Sequence, residues 1–143
     1  MSATTTIATR IPALNRPAAL FGAIGAALLT NLVVWLIGAA AGGTFEMTDA
    51  GQVQSAAPGG IIMLTVVPML IGLGAAVLLS YKWIGVLRVA AVIGSVLAVA
   101  TIALTVRADF DTASTIALSI AHLMLVPALV VATEGLRRKL LEG

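Results

Sequence analysis

In a chain of 143 residues, 60% are hydrophobic, only 10% are charged and the mean hydropathy is +1.12, which is too little polar surface to face water; the solvent of this protein is lipid. The absence of Cys excludes disulfide redox chemistry, thiolate metal centres and Cys nucleophiles, and a single His excludes a multi-His metal site, so no metal and no cofactor is expected. The net charge of +2 does not point to nucleic acid, because the basic residues form no patch with interleaved aromatics and are better explained by membrane topology.

Residues 1–17, "MSATTTIATRIPALNRP", are Ser/Thr-rich, basic and free of acids, and read as a flexible segment along the inner membrane surface. Four apolar runs follow, at 18–41, 59–81, about 86–106 and 112–133, with Arg88 in the first turn of the third as their one charge. At 1.5 Å per residue each can cross a hydrocarbon core ~30 Å thick. Helix is the state that satisfies every backbone group in lipid, so the fold class is an all-α integral membrane protein, a four-helix bundle over 18–136. The first run ends in small residues like a secretory signal, but its apolar stretch is too long for cleavage, and a retained anchor is expected.

Residues 42–58 are the one connection with room for structure of its own. Thr44, Glu46 and Thr48 alternate with Phe45 and Met47, the period of a half-buried strand, and "DAG" is turn-like. A short extracellular β-hairpin with Phe45, Met47 and Val53 on one apolar face, or an irregular loop, both fit. The connections "YKWIGVLR" and "RADFD" are tight turns. Tyr81, Trp83 and Arg88 suit an interface, and Asp109 and Asp111 read as solvated carboxylates. Residues 137–143 form a basic tail whose Arg137, Arg138 and Lys139 would rest on anionic lipid.

Sidedness comes from the basic residues. Arg10, Arg16, Lys82, Arg88, Arg137, Arg138 and Lys139 fall on one side against Arg107 on the other, so both termini are expected in the cytoplasm of a bacterial cell, with the chain in its plasma membrane.

Depth singles out three polar residues. Asn31, Ser95 and His122 each lie about ten or eleven residues from the outer end of their run, at roughly 15 Å depth, and would meet in a midplane cluster. His122 could titrate or orient a ligand there. With no intramembrane carboxylate beside it, a packing role is preferred. Pro68 and Pro127 are expected to kink their helices, and small residues four apart, such as Ala18, Gly22 and Ala26 or Ala90, Gly94 and Ala98, permit close helix packing. No nucleophile triad or phosphate-cradling loop is present, so no enzymatic activity is expected.

The stretches "NLVVWLIGAAAG" and "IALSIAHLMLVPALV", with the central hairpin, resemble a family of small bacterial four-span proteins, mostly actinobacterial, known only as a domain of unknown function. The likeness covers most of 18–138. It rests on Asn31 and Trp35 in the first span and His122 in the last, with Ala121 where the family usually has Met. It implies the four-span architecture and no activity.

The reading favoured by the sequence is a non-catalytic accessory or structural subunit, working through helix packing and its external loop. Its partners would be membrane lipids and a membrane protein or second copy of itself. The alternative is small-molecule or lipid binding or transport through a midplane pocket around Asn31 and His122. A dry, packed interior favours the first and an open cavity reaching His122 the second.

Overall fold

A computed structural model describes residues 11–143. The chain order is α1 (Arg16–Ala40), β1 (Glu46–Asp49), β2 (Gln52–Ser55), α2 (Gly59–Leu79), α3 (Val86–Arg107) and α4 (Thr112–Glu142). All four helices are long and apolar enough to cross a membrane. They alternate in direction, giving the bundle a terminal end, with the start of α1 and the end of α4, and a hairpin end.

Helix starts follow local chemistry. Asn15 caps α1, its side-chain oxygen accepting from Ala18 N at 2.9 Å, and Pro17 occupies the first turn, where a missing N–H costs nothing. The expected flexible segment 1–17 lies outside the described residues up to position 10. From position 11 the chain is laid against α4: Leu14 N donates to Gly135 O at 2.9 Å and Arg138 Nη1 to Ile11 O at 3.0 Å.

The last helix differs most from expectation. It continues past the expected span of 112–133 and runs unbroken through Glu142, so that the basic residues 137–139 stand on the helix itself. The reason is local: "LRRKLLE" is made of good helix formers, and Arg137 pairs with Glu134 and Arg138 with Glu142 at helical spacing.

The helices form an open ring. α1 packs on α2 and most extensively on α4, α3 packs on α4, and of the neighbours in the ring α2 and α3 meet least. At the terminal end the core joins Ala19, Ala23 and Ala27 of α1, Met69 and Leu73 of α2, Leu87 of α3, and Ala132 and Leu136 of α4. A smaller core of Phe45, Ile61, Ala117 and Leu118 closes the hairpin end.

The loop is a two-stranded ribbon, with an alignment that corrects the expected apolar face. Ala50 and Gly51, at φ 48° and 79°, make a two-residue turn with both central residues left-handed, which pairs Asp49 with Gln52. That register sets Met47 opposite Gln54 and Val53 opposite Thr48, so Met47 and Val53 lie on opposite faces. Val53 is 68% exposed, Met47 half-buried, and Phe45, just before β1, is 1% exposed.

Candidate functional site

The gap left between α2 and α3 is a groove of about 440 Å³. Its walls are α2 from Leu64 to Leu79 and α3 from Val86 to Thr101, and its floor is α4. Fifteen helical steps make it roughly 22 Å long. Leu64, Ile93 and Leu97 on its walls are themselves exposed, so it opens sideways to the surroundings of the bundle. The small residues expected to serve packing shape it: Ala90, Gly94 and Ala98 give α3 a thin wall, and Gly94 faces Leu129 of the floor.

Helical rotation decides which side chains of α4 enter. Successive residues turn by about 100°. Ala117, Leu118 and Ala121 therefore pack into the bundle, while His122, Leu125, Leu129 and Thr133 line the groove. The lining is otherwise nearly all apolar, with three polar side chains. Two already donate to their own helix: Thr101 Oγ1 to Ala98 O at 2.7 Å and Thr133 Oγ1 to Leu129 O at 2.7 Å. The third is His122. Its Nδ1 lies 2.7 Å from Leu118 O, and a carbonyl only accepts, so Nδ1 carries the proton. In the neutral ring this leaves Nε2 as an acceptor, with no partner among the described residues.

Asn31 goes elsewhere. It lies on the α1 stripe of Ala23 and Ala27, is 4% exposed, and its Nδ2 donates to Thr65 Oγ1 of α2 at 2.9 Å. Ser95 is half-buried on α3 and does not line the groove. Among the described residues no hydrogen bond joins Asn31, Ser95 and His122 to one another. Depth matching placed them at one level, but helix rotation turns Asn31 toward α2 and His122 toward the gap. Thr65 lies only six residues into the second run, roughly 9 Å deep, so matching by depth passed it over.

Asn31 and Thr65 are a packing pair, and their energetics can be separated from any ligand. Asn31→Ala strands Thr65 and is expected to cost about 1–2 kcal/mol. Asn31→Leu combined with Thr65→Val removes both polar groups at matched volume and is expected to be nearly neutral. Thermal unfolding in detergent checks both.

Pro68 lines the groove, whereas Pro127 lies on the other side of α4, in a cleft against α1 beside Ala18, Gly22 and Ala26. Both prolines sit within continuous helices. At the terminal end Trp83 and Lys82 are exposed on the turn joining α2 to α3, and the Arg16 guanidinium lies 3.7 Å from the Tyr81 ring centroid. Three of the expected interface anchors pair with carboxylates: Arg88 Nε and Arg137 Nε both donate to Glu134, at 3.2 Å and 2.9 Å, and Arg138 to Glu142, while Lys139 is exposed.

The hairpin end holds a cluster that the sequence reading missed. Asp111 is the N-cap of α4, not a solvated carboxylate. Its Oδ1 accepts from Ser114 N at 2.8 Å, and its Oδ2 from Ser114 Oγ at 2.6 Å and from Thr44 N and Thr44 Oγ1, both at 2.9 Å. Ser114 Oγ in turn accepts from Phe45 N at 2.8 Å. The Ser114 hydroxyl, then the backbone amides of Ser114 and Thr44, hold the Asp111 carboxyl well below the usual carboxylate range. An acid directly before a helix, with Ser three residues on, is the signal that could have found it.

Residues 10–139 match the model of a family of unknown function, DUF6069. No curated protein and no solved structure matches the chain.

Proposed function

Because the chain belongs to the DUF6069 family, whose description assigns no activity, its function has to be argued from its own residues, and we propose that it is a non-catalytic multi-pass protein of the bacterial plasma membrane that holds an apolar ligand in the groove between α2 and α3. The observation that carries this reading is a groove of about 440 Å³ that reaches the only His of the chain. That volume lies within the ~300–1,000 Å³ range of small-molecule sites, and the lining matches their pattern of apolar walls with one placed polar group. The termini are assigned to the cytoplasm, because Arg16, Lys82, Arg88, Arg137, Arg138 and Lys139 gather at the terminal end against Arg107 at the other.

The accessory-subunit reading keeps one specific support, the cleft beside Ala18, Gly22 and Ala26, where a Cβ added at Gly22 would meet nothing within 4 Å and a second helix could approach closely. Native mass spectrometry of the protein extracted in mild detergent separates the two. Ligand binding predicts a retained small mass on the chain or its homo-oligomer. A stoichiometric protein partner with no retained small mass would overturn it in favour of the accessory role. Gly72→Phe sharpens the test: Gly72 lines the groove and its Cβ would meet nothing within 4 Å, so the ring enters free space. The expected result is loss of at least nine-tenths of the retained mass with an unchanged helical circular dichroism spectrum.

A further inference from the structure

We propose that the groove holds an uncharged lipid with a hydroxyl at its polar end, a long-chain alcohol in the simplest case, whose O–H donates to Nε2 of His122 while its hydrocarbon tail lies between α2 and α3 toward the terminal end. This rests on the ligand-binding reading above and adds the chemistry of the ligand.

The hydrogen-bond inventory of the groove decides the polar group. Thr101 and Thr133 each spend their one hydroxyl hydrogen on a carbonyl of their own helix, Ala98 O and Leu129 O, and His122 Nδ1 spends its hydrogen on Leu118 O. With Nδ1 turned back to α4, Nε2 stands at the outer end of the ring, and in the neutral ring it only accepts. Pro68 on the α2 wall adds to the acceptors, because it brings no N–H to the Leu64 carbonyl one turn earlier. Among the described residues the groove therefore offers acceptors and no free side-chain donor. A ketone, an ester, a carboxylate or a phosphate would meet this lining with acceptors of its own and lose its water without a partner. An O–H supplies what the lining lacks.

Depth decides the charge and the direction of the tail. His122 is ten residues from the start of α4, roughly 15 Å along a helix long and apolar enough to cross a membrane. That is about the midplane, where a charged headgroup is costly. A phospholipid keeps its head at the bilayer surface and can bring only hydrocarbon to this ring, which leaves Nε2 unused. An uncharged molecule with one small polar group can sink to it. From His122 the floor continues through Leu125 and Leu129 to Thr133, roughly 16 Å closer to the terminal end, with Gly72 and Gly94 on the walls beside it. The groove opens sideways, so such a molecule can enter from the bilayer without leaving it.

The chain has a single His, so isotope-labelled histidine reports on His122 alone. The probes are dodecanol and dodecyl methyl ether, which share a chain and differ in the O–H, at equal mole fraction in phosphatidylcholine nanodiscs. In nitrogen NMR, dodecanol is expected to move the Nε2 resonance upfield, the direction of a newly accepted hydrogen bond, with Nδ1 held in place, and the ether to leave Nε2 where it was. In native mass spectrometry from nanodiscs holding both, the alcohol should be retained on the order of tenfold over the ether, the size of one hydrogen bond of about 1.4 kcal/mol. His122→Phe keeps a ring in the groove and breaks only the bond to Leu118 O within the same helix, so it should lower the alcohol to the level of the ether with an unchanged circular dichroism spectrum. Gly72→Phe should remove both. Equal retention of the two probes by the wild type, or an Nε2 resonance that the alcohol does not move, would overturn the hydroxyl assignment, and retention still lost with Gly72→Phe would leave the groove reading standing. Retention of neither probe would overturn both.

Discussion

Gly38→Leu is expected to unfold the hairpin end of the bundle. A Cβ at Gly38 would stand 2.6 Å from Ala117 Cβ of α4 and 2.8 Å from Phe45 Cζ, closer than carbon atoms approach one another. Neither neighbour can retreat. Ala117 is on the helix that packs most extensively on α1, and Phe45 is held in a left-handed conformation, φ 56°, by its buried ring and by its N–H to Ser114. Even Gly38→Ala should cost about 1–3 kcal/mol as overpacking, and leucine considerably more. The control is Gly22→Ala on the same helix, where nothing lies within 4 Å and the better helix former should be neutral or stabilising by up to about 1 kcal/mol. Melting temperatures in detergent, followed by circular dichroism, should fall steeply for the Gly38 variants and hold for Gly22→Ala.

Asp111→Ala is expected to release residues 42–58 from the bundle. It removes the acceptor of Thr44 N, Thr44 Oγ1 and Ser114 Oγ, together with the cap on Ser114 N, in one change. Limited proteolysis within the exposed β2 should accelerate tenfold or more. Ser114→Ala tests the second link separately: Ser114 is 0% exposed, and its loss leaves Phe45 N–H buried without an acceptor, at a cost of about 1–3 kcal/mol. The acid dependence has a definite sign. Folding depresses the Asp111 pKa, so its stabilisation is complete above the unfolded value of about 3.9 and is lost as pH falls below that toward the lower folded value. Protection of the loop should therefore be flat from neutral pH to about 5 and decline only in stronger acid, while Asp111→Ala should show the unprotected rate throughout.

The helices were legible because their signal is summed over twenty or more residues and lipid admits few alternatives. Even the hairpin showed in the alternation around Phe45 and Met47. What failed was rotation and register, which rest on single residues. The same depth held Asn31 and His122, yet the faces they occupy depend on how α1 and α4 turn against each other. The side taken by Val53 depends on whether the turn has two residues or three. The groove itself was beyond pattern, because it arises from how loosely α2 and α3 meet. Asp111 was misread for a different reason: its charge suggested solvent, while its position before Thr112 was the more informative fact.

The 31 residues of α4 make a rod about 46 Å long, against ~30 Å of hydrocarbon. With Thr112 at one membrane boundary, some 16 Å stands beyond the other, and on this wet arm the chain's own residues 11–14 are fastened at Gly135. The submerged arm is the floor under His122 and Leu129. α4 therefore joins the strand of chain at 11–14 to the floor of the groove within one continuous helix, whose backbone hydrogen-bond ladder is interrupted between the two only at Pro127.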